Sequence, residues 1–411
     1  MIVEILYLVI ALSLTAPLVW RLDGRYISLA TSIVLMALSV YYKLPVGVLL
    51  SVLALSLSLD WRWGPFGVAL SFSAVAAVLA TYVYYAGQSI VYGLLALALV
   101  TAAVYGLLAM DRRRENVEGA VKYLVFSGIG KVLIVAGYVI AVSGWWQGAY
   151  LLVLGFLFEL GIVPFHAWVV DAYALGTPRG VAALTAFSKL TALYVLLAIF
   201  RQLGGVPSHI GAVALIVALA SMLVANVAGL TAKTLGRVMA YSSVAHMSYA
   251  LTAVALVWWL GDRPTSLFGV PVRASDVAAL TVVLEALTSG IAKSGVFGYL
   301  PTSLSDVLPP RRSVLNVANV FSLLGLPPLL GFWPKLFLVL LVLSYPATWL
   351  SVFLVSWIVL NSATATPYYL RAIRMVAEAP SPVADNVTSA YTALASVAVG
   401  LLMPLIVYIL A

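Results

Sequence analysis

Six ionisable residues stand well inside apolar runs: Lys131, Glu159, Lys189, Glu285, Lys293 and Lys335. Lys233 and Arg237 open a further apolar run that carries His246 deeper along. Lysine suits proton transfer in such a setting, because desolvation lowers its pKa toward neutrality and a nearby carboxylate raises it again. A lysine whose partner approaches and retreats can therefore take up and release a proton. At helical spacing Glu285, Ser289 and Lys293 share one face, and Glu285 lies about 12 Å from Lys293, a gap that a short water chain past Ser289 can bridge. The plainer reading is that these charges pair internally or snorkel to an interface. Lys122, one turn after Glu118, reads as such a surface pair. Four lysines and two glutamates at depth are too many for that reading to cover them all.

The elements that position these residues follow from composition. Of 411 residues 64% are hydrophobic and 9% charged, against about a quarter charged in a soluble domain. Apolar stretches of bilayer-spanning order, about 20 residues, recur along the chain. They run roughly over 2–20, 28–42, 46–59, 65–86, 88–110, 118–143, 147–170, 181–203, 208–232, 236–260, 276–300, 313–330, 333–345, 347–366 and 386–410. Several are short, so 12 to 14 crossings are expected. The stretch 46–59 could be an interfacial strand or a half-helix. The expected fold is all-α: a polytopic transmembrane bundle with two broken helices, suggested by Pro178, Pro334 and Pro346 beside or inside apolar runs. A lysine inside a helix in both the middle and the later chain (Lys189, Lys335) suits inverted repeats. The polar stretches 111–118, 261–276, 301–312 and 376–385 read as loops, which leaves a single membrane domain: N-terminal helices 1–110, a first half 111–260, a second half 261–375 and a C-terminal helix 376–411. The first stretch, lacking a basic leader, reads as a retained helix.

Other chemistries find little support. The net charge of +8 comes from Lys and Arg scattered between apolar runs, as membrane-flanking residues are, and does not suggest nucleic acid. There is no cysteine, hence no cysteine-held iron–sulfur cluster. His166, His209 and His246 lie on separate segments without metal-binding spacing, and no cofactor is expected. Ser127-Gly128-Ile129-Gly130-Lys131 approaches a phosphate loop but lacks the first glycine, with Val125 there, and has Val132 where Ser or Thr is needed. Tyr241-Ser242-Ser243 has no recognisable histidine–carboxylate partner for a nucleophile.

Five motifs in order resemble the antiporter-like subunits of complex I (subunits N, M and L), related to Mrp-type cation antiporters and membrane-bound hydrogenases. Val163-Pro164-Phe165-His166-Ala167-Trp168 with Asp171 is similar to VPFHxWxPD, with Val170 in place of the usual proline. Thr177-Pro178 and Ala186-Phe187-Ser188-Lys189 resemble the broken helix with its central lysine. Arg237 through Tyr249 resembles R-x-L-A-Y-S-S-x-x-H-x-G-Y. Leu324-Gly325-Leu326-Pro327-Pro328 through Gly331-Phe332 with Lys335 resembles G-x-P-P-x-x-G-F-x-x-K, and Pro367-Tyr368-Tyr369-Leu370-Arg371 the later Y-Y-L-R.

The resemblance implies a cell-membrane protein without a redox centre of its own. Electron transfer elsewhere in a respiratory or hydrogenase-like complex would drive protons, or sodium, along a polar axis at mid-membrane. It places Lys189, His246, Lys293 and Lys335 on that axis. The position of the family's second lysine is Gly236 here, with Lys233 one turn away as its substitute. The chain also departs from the pattern. The stretch 88–110 lacks the family's glutamate, Glu159 stands where a lysine is usual, and Lys131 stands where a small or hydroxyl residue is expected. Glu159 is therefore expected to replace the missing carboxylate and to approach Lys131 or Lys189. The competing expectations are a stand-alone cation/proton antiporter and a non-conducting membrane scaffold.

Overall fold

A computed structural model describes residues 1–17, 23–61, 63–300, 312–346, 348–379 and 384–410. Its helices are α1 (Ile2–Thr15), α2 (Gly24–Tyr41), α3 (Pro45–Asp60), α4 (Gly67–Tyr85), α5 (Ile90–Leu108), α6 (Arg114–Val142), α7 (Gly148–Leu160), α8 (Ala167–Leu175), α9 (Pro178–Ala183), α10 (Lys189–Gln202), α11 (Ser208–Thr231), α12 (Leu235–Leu260), α13 (Ala274–Gly298), α14 (Leu315–Leu324), α15 (Phe332–Leu343), α16 (Trp349–Ala377) and α17 (Val387–Leu410). Among the described residues ten helical stretches are long and apolar enough to cross a membrane. With α1, α3 and two pairs of half-helices added, the described chain passes fourteen times between two ends, the upper limit of the expectation. This is a polytopic integral membrane protein. The ambiguous stretch 46–59 is a helix, started by Pro45 in its first turn, where a missing N–H costs nothing.

Hydrogen bonds between connections define the two ends. At one, Thr177 N–H reaches Leu108 O, Ser313 N–H reaches Val376 O, and Asp60 accepts from Val387 and Thr388 N–H. At the other, Tyr345 Oη reaches Gly261 O and the Met1 amine reaches Tyr42 Oη. Among the described residues the first end carries most of the cations: Arg25, Arg112, Arg113, Arg114, Lys122, Arg179, Lys233, Arg237, Arg312, Arg371 and Arg374. Among the described residues the second has Lys43, Arg201, Arg263 and Arg273.

The core is α9–α10 and α13, buried almost throughout, whereas α6 and α16 leave much of their apolar surface exposed. Two passages are broken. α7 ends at Gly161 and α14 at Gly325, both in the left-handed conformation that glycine adopts without penalty. The chain resumes as α8 and α15. The two broken passages run in opposite directions between the ends, as inverted repeats require.

These breaks are not where the prolines first pointed. Pro178 starts α9 rather than splitting a helix, and the helix leading to Lys189 is interrupted by a wide π-helical turn, Leu184–Ser188. Pro334 sits within the first turn of α15, where a proline is tolerated, and Pro346 follows its end. Pro164 and Pro327–Pro328 lie in the actual gaps. The stretch 261–276 is not a plain loop. Pro264–Leu267 and Val270–Arg273 pair antiparallel, turned at Phe268-Gly269, both with positive φ, as tight two-residue hairpins demand. Most of 301–312, including Arg311, and part of 376–385 lie outside the described residues.

A buried string of charges

The site begins with close packing of α6 on α7. A Cβ on Gly155 would lie 2.6 Å from Gly130 O, and one on Gly137 2.6 Å from Leu152 N. Small residues let the two backbones approach as helices in lipid do, and side chains beside the contact then meet across it. Lys131 Nζ is 2.9 Å from Glu159 Oε2, with side-chain exposures of 16% and 1%, so the pair joins a buried carboxylate to an ammonium near the rim. Ser127 Oγ donates to the same oxygen at 2.7 Å and accepts from Lys131 at 2.5 Å. Thr101 contacts Ser127 at 3.1 Å, and Tyr123 contacts Ser188 at 3.2 Å. Thr101 lies on α5, the helix that lacks the family's acid.

Lys189 follows the π turn and is buried. It does not reach the Glu159 carboxylate. Its ammonium donates to Leu160 O at 2.5 Å and Glu159 O at 3.3 Å, and lies 4.3 Å from the Trp168 ring centre. The last carbonyls of α7 are left open by the break and carry the negative end of its dipole, which suits a cation. Lys335 repeats the arrangement: its Nζ donates to Leu324 O, the last carbonyl of α14, at 2.7 Å.

Between the two lies α13, joined to the π turn by Thr185 Oγ1 and Ser294 Oγ at 3.0 Å. Lys293 donates to Ser289 Oγ at 2.7 Å, so half of the expected Glu285–Ser289–Lys293 series is a direct bond. Glu285 instead turns to α12, with Oε2 2.5 Å from His246 Nδ1. The other oxygens, Glu159 Oε1 and Glu285 Oε1, are buried without a protein partner, positions that fit ordered water.

The remaining candidates lie elsewhere. Lys233 is exposed in the turn before α12, outside the helix and apart from the buried series. His166 sits at the start of α8 as part of the break, and its Nδ1 is buried without a partner. Lys122 bonds both Glu118 and Asp171, at 2.6 and 2.7 Å, which ties the last acid of the first motif to α6.

The family described as NADH:quinone oxidoreductase/Mrp antiporter, TM, matches residues 87–361. The chain belongs to this family. Among curated relatives, NADH-quinone oxidoreductase subunit N of Chromohalobacter salexigens is 30% identical over 306 residues, 67% of this chain and 62% of its own length. The chain thus spans somewhat under two thirds of that relative. NADH-quinone oxidoreductase subunit N 2 of Acidobacterium capsulatum is 27% identical over 95% of this chain and 85% of its own. The fold is shared with a chain of an archaeal membrane-bound sulfane sulfur reductase (TM-score 0.75, 15% identity) and one of the Mrp complex from Dietzia (TM-score 0.75, 15% identity). Each likeness covers 98% of this chain and 94% of the other.

Sequence reasoning missed the hydroxyls of Thr101, Ser127 and Tyr123 and the carbonyls of Leu160 and Leu324. The signal for the carbonyls was present in the glycine that ends each half-helix. The hydroxyls carried none, since Ser and Thr are frequent in membrane helices.

Proposed function

We propose that this chain is a proton-translocating subunit of a complex I-like quinone oxidoreductase, in which electron transfer elsewhere drives protons along Lys131–Glu159, Lys189, Lys293, Glu285–His246 and Lys335. The observation that carries this reading is the twice-repeated seating of a buried lysine on the open carbonyl end of a broken helix, at Lys189 and Lys335. The broken passages leave irregular backbone at membrane depth, which is tolerated where it faces protein or a wet path. The partners of both mid-membrane carboxylates are nitrogen groups that carry protons, Lys131 and His246, which favours protons over sodium. The relatives named NADH-quinone oxidoreductase subunit N support the parent complex. The cation-rich end faces the cytoplasm on this reading, by the excess of Arg and Lys there.

The pair Lys131–Glu159 supplies a carboxylate that α5 lacks. Glu159 thereby keeps one carboxyl group within the first half of the axis. The test is redox-driven acidification of inside-out vesicles holding the whole complex. Lys189→Ala is expected to lower pumping while subunit content, measured in the same membranes, stays near wild type, since alanine cannot accept a proton. Unchanged pumping per electron at an unchanged rate would remove Lys189 from the path. Cation/proton exchange by the purified chain alone in liposomes would instead establish a stand-alone antiporter.

A further inference from the structure

The hydrogen-bonded series continues past His246 on the side away from Glu285. With Nδ1 donating to Glu285, Nε2 faces the hydroxyl of Tyr369 at 3.3 Å, and that hydroxyl meets Ser242 Oγ at 2.7 Å. Glu285, His246, Tyr369 and Ser242 are all buried. Ser242 precedes His246 by one turn on α12, and Tyr369 lies eight residues before the end of α16. Both of those helix ends belong to the cation-rich end. At 1.5 Å per residue, His246 lies about 17 Å and Ser242 about 11 Å from the start of α12. The series therefore rises from mid-membrane toward the cytoplasmic end. The residue before Ser242, Tyr241, lines a surface cavity of about 360 Å³ together with Thr231, Lys233, Thr234 and Arg237.

We propose that Ser242 and Tyr369 form a cytoplasmic leg that delivers protons from this cavity to His246 and Glu285. The proposal rests on the reading of the chain as a proton-translocating subunit and adds two residues and a direction to it. A proton from cavity water, relayed past Tyr241 to the buried Ser242 Oγ, displaces the serine's own proton to Tyr369 Oη. Tyr369 in turn protonates His246 Nε2, and the imidazolium releases the Nδ1 proton to Glu285 Oε2. One proton has then moved from cavity to carboxylate, and only O–H and N–H bonds have changed. The hydroxyls reset by rotation, and the imidazole, left protonated on Nε2, by a ring flip. A hydroxyl is required at each station because a phenyl ring or a methyl group can neither accept nor pass a proton. The adjacent Tyr368 offers a contrast: although its ring lies 4.6 Å from that of Tyr369, its hydroxyl donates to Asn226 at 2.9 Å, which ties α16 to α11 and leads away from His246.

The experiment compares Tyr369→Phe, Ser242→Ala, Tyr368→Phe and Lys189→Ala in vesicles carrying the whole complex, with pumping, electron transfer and subunit content measured together. Tyr369→Phe is expected to slow pumping about tenfold or more. Tyr368→Phe should remain near wild type. Formate, a small weak acid able to carry protons to His246, should restore part of the Tyr369→Phe rate, which a purely structural defect would not allow. Wild-type pumping in Tyr369→Phe and Ser242→Ala, with Lys189→Ala impaired, would overturn the leg and leave the axis standing. Normal pumping in Lys189→Ala as well would overturn both. A Tyr369→Phe defect matched by Tyr368→Phe and insensitive to formate would assign the hydroxyl to packing and overturn the leg.

Discussion

At the residue scale, the Lys131–Glu159 pair separates conduction from support. A buried ion pair contributes little net stability, yet removing one partner leaves an uncompensated charge and costs about 3–5 kcal/mol. Glu159→Ala is therefore expected to lower the thermal stability of the detergent-solubilised complex sharply. Lys131→Met/Glu159→Met should recover most of that loss, because both charges leave together. Pumping should fail in both variants if the pair conducts. Normal pumping in the double variant would reduce Lys131 and Glu159 to a structural clasp. The two lysines on broken helices differ from this pair, since their partners are backbone carbonyls that no side-chain substitution removes.

At the element scale, the contact of α6 with α7 sets the geometry of the pair. Gly155→Ala would place a methyl group 2.6 Å from Gly130 O and 2.8 Å from Ile134 N, both backbone atoms. Such overpacking costs about 1–3 kcal/mol, and the helices must separate, stretching Lys131 from Glu159. A lower melting temperature with reduced pumping is expected, whereas Gly106→Ala, which meets nothing within 4 Å, should leave both unchanged. Equal behaviour of the two variants would show that the close approach is dispensable.

The hairpin of 264–273 is latched by Asp262, whose carboxylate accepts from Arg273 Nε at 2.5 Å and from Ser275 N–H at 2.9 Å. Burial works to raise its pKa, but these donors outweigh it and hold the group below the ordinary value. A depressed pKa contributes stability that is present above the unfolded value of about 4 and is lost as pH falls through the folded one. Protection of the hairpin amides from hydrogen exchange, once corrected for intrinsic rates, should therefore drop below about pH 4 in the wild type. Asp262→Asn should remove that dependence, and a persisting acid transition in the variant would assign it to another group. The effect is modest, because Arg273 is largely exposed.

At the scale of the whole molecule, the uneven distribution of cations gives an orientation. With the cation-rich end in the cytoplasm, Met1 and the end of α17 face the opposite side. The chain has no cysteine, so single introduced cysteines report without background. Gln147→Cys is expected to react with a membrane-impermeant maleimide in intact cells, and Arg113→Cys only in inverted vesicles. The reverse pattern would invert both the topology and the direction of the leg from Ser242 to Glu285. The exposed apolar faces of α6 and α16 remain for lipid or, on the proposed function, for neighbouring subunits.

The sequence by itself determined what depends on composition and on neighbours along the chain. It established the bilayer as solvent, the identities of the deep charges, the order of the motifs and the lack of an acid on α5. Tertiary structure alone decided which charge meets which. Glu159 had two lysines within plausible reach, and the phase and closeness of α6 against α7, set by Gly130, Gly137 and Gly155, gave it to Lys131. Glu285 shares a helical face with Lys293 at a spacing visible in the sequence, yet its carboxylate turns across to His246 on α12, a contact no periodicity encodes. The prolines marked breaks only loosely, because a proline in a first turn costs a helix little, whereas a left-handed glycine followed by Pro164 or Pro327 ends one. Partners across helices depend on rotation, depth and backbone separation, and these are fixed by contacts between residues far apart in the chain.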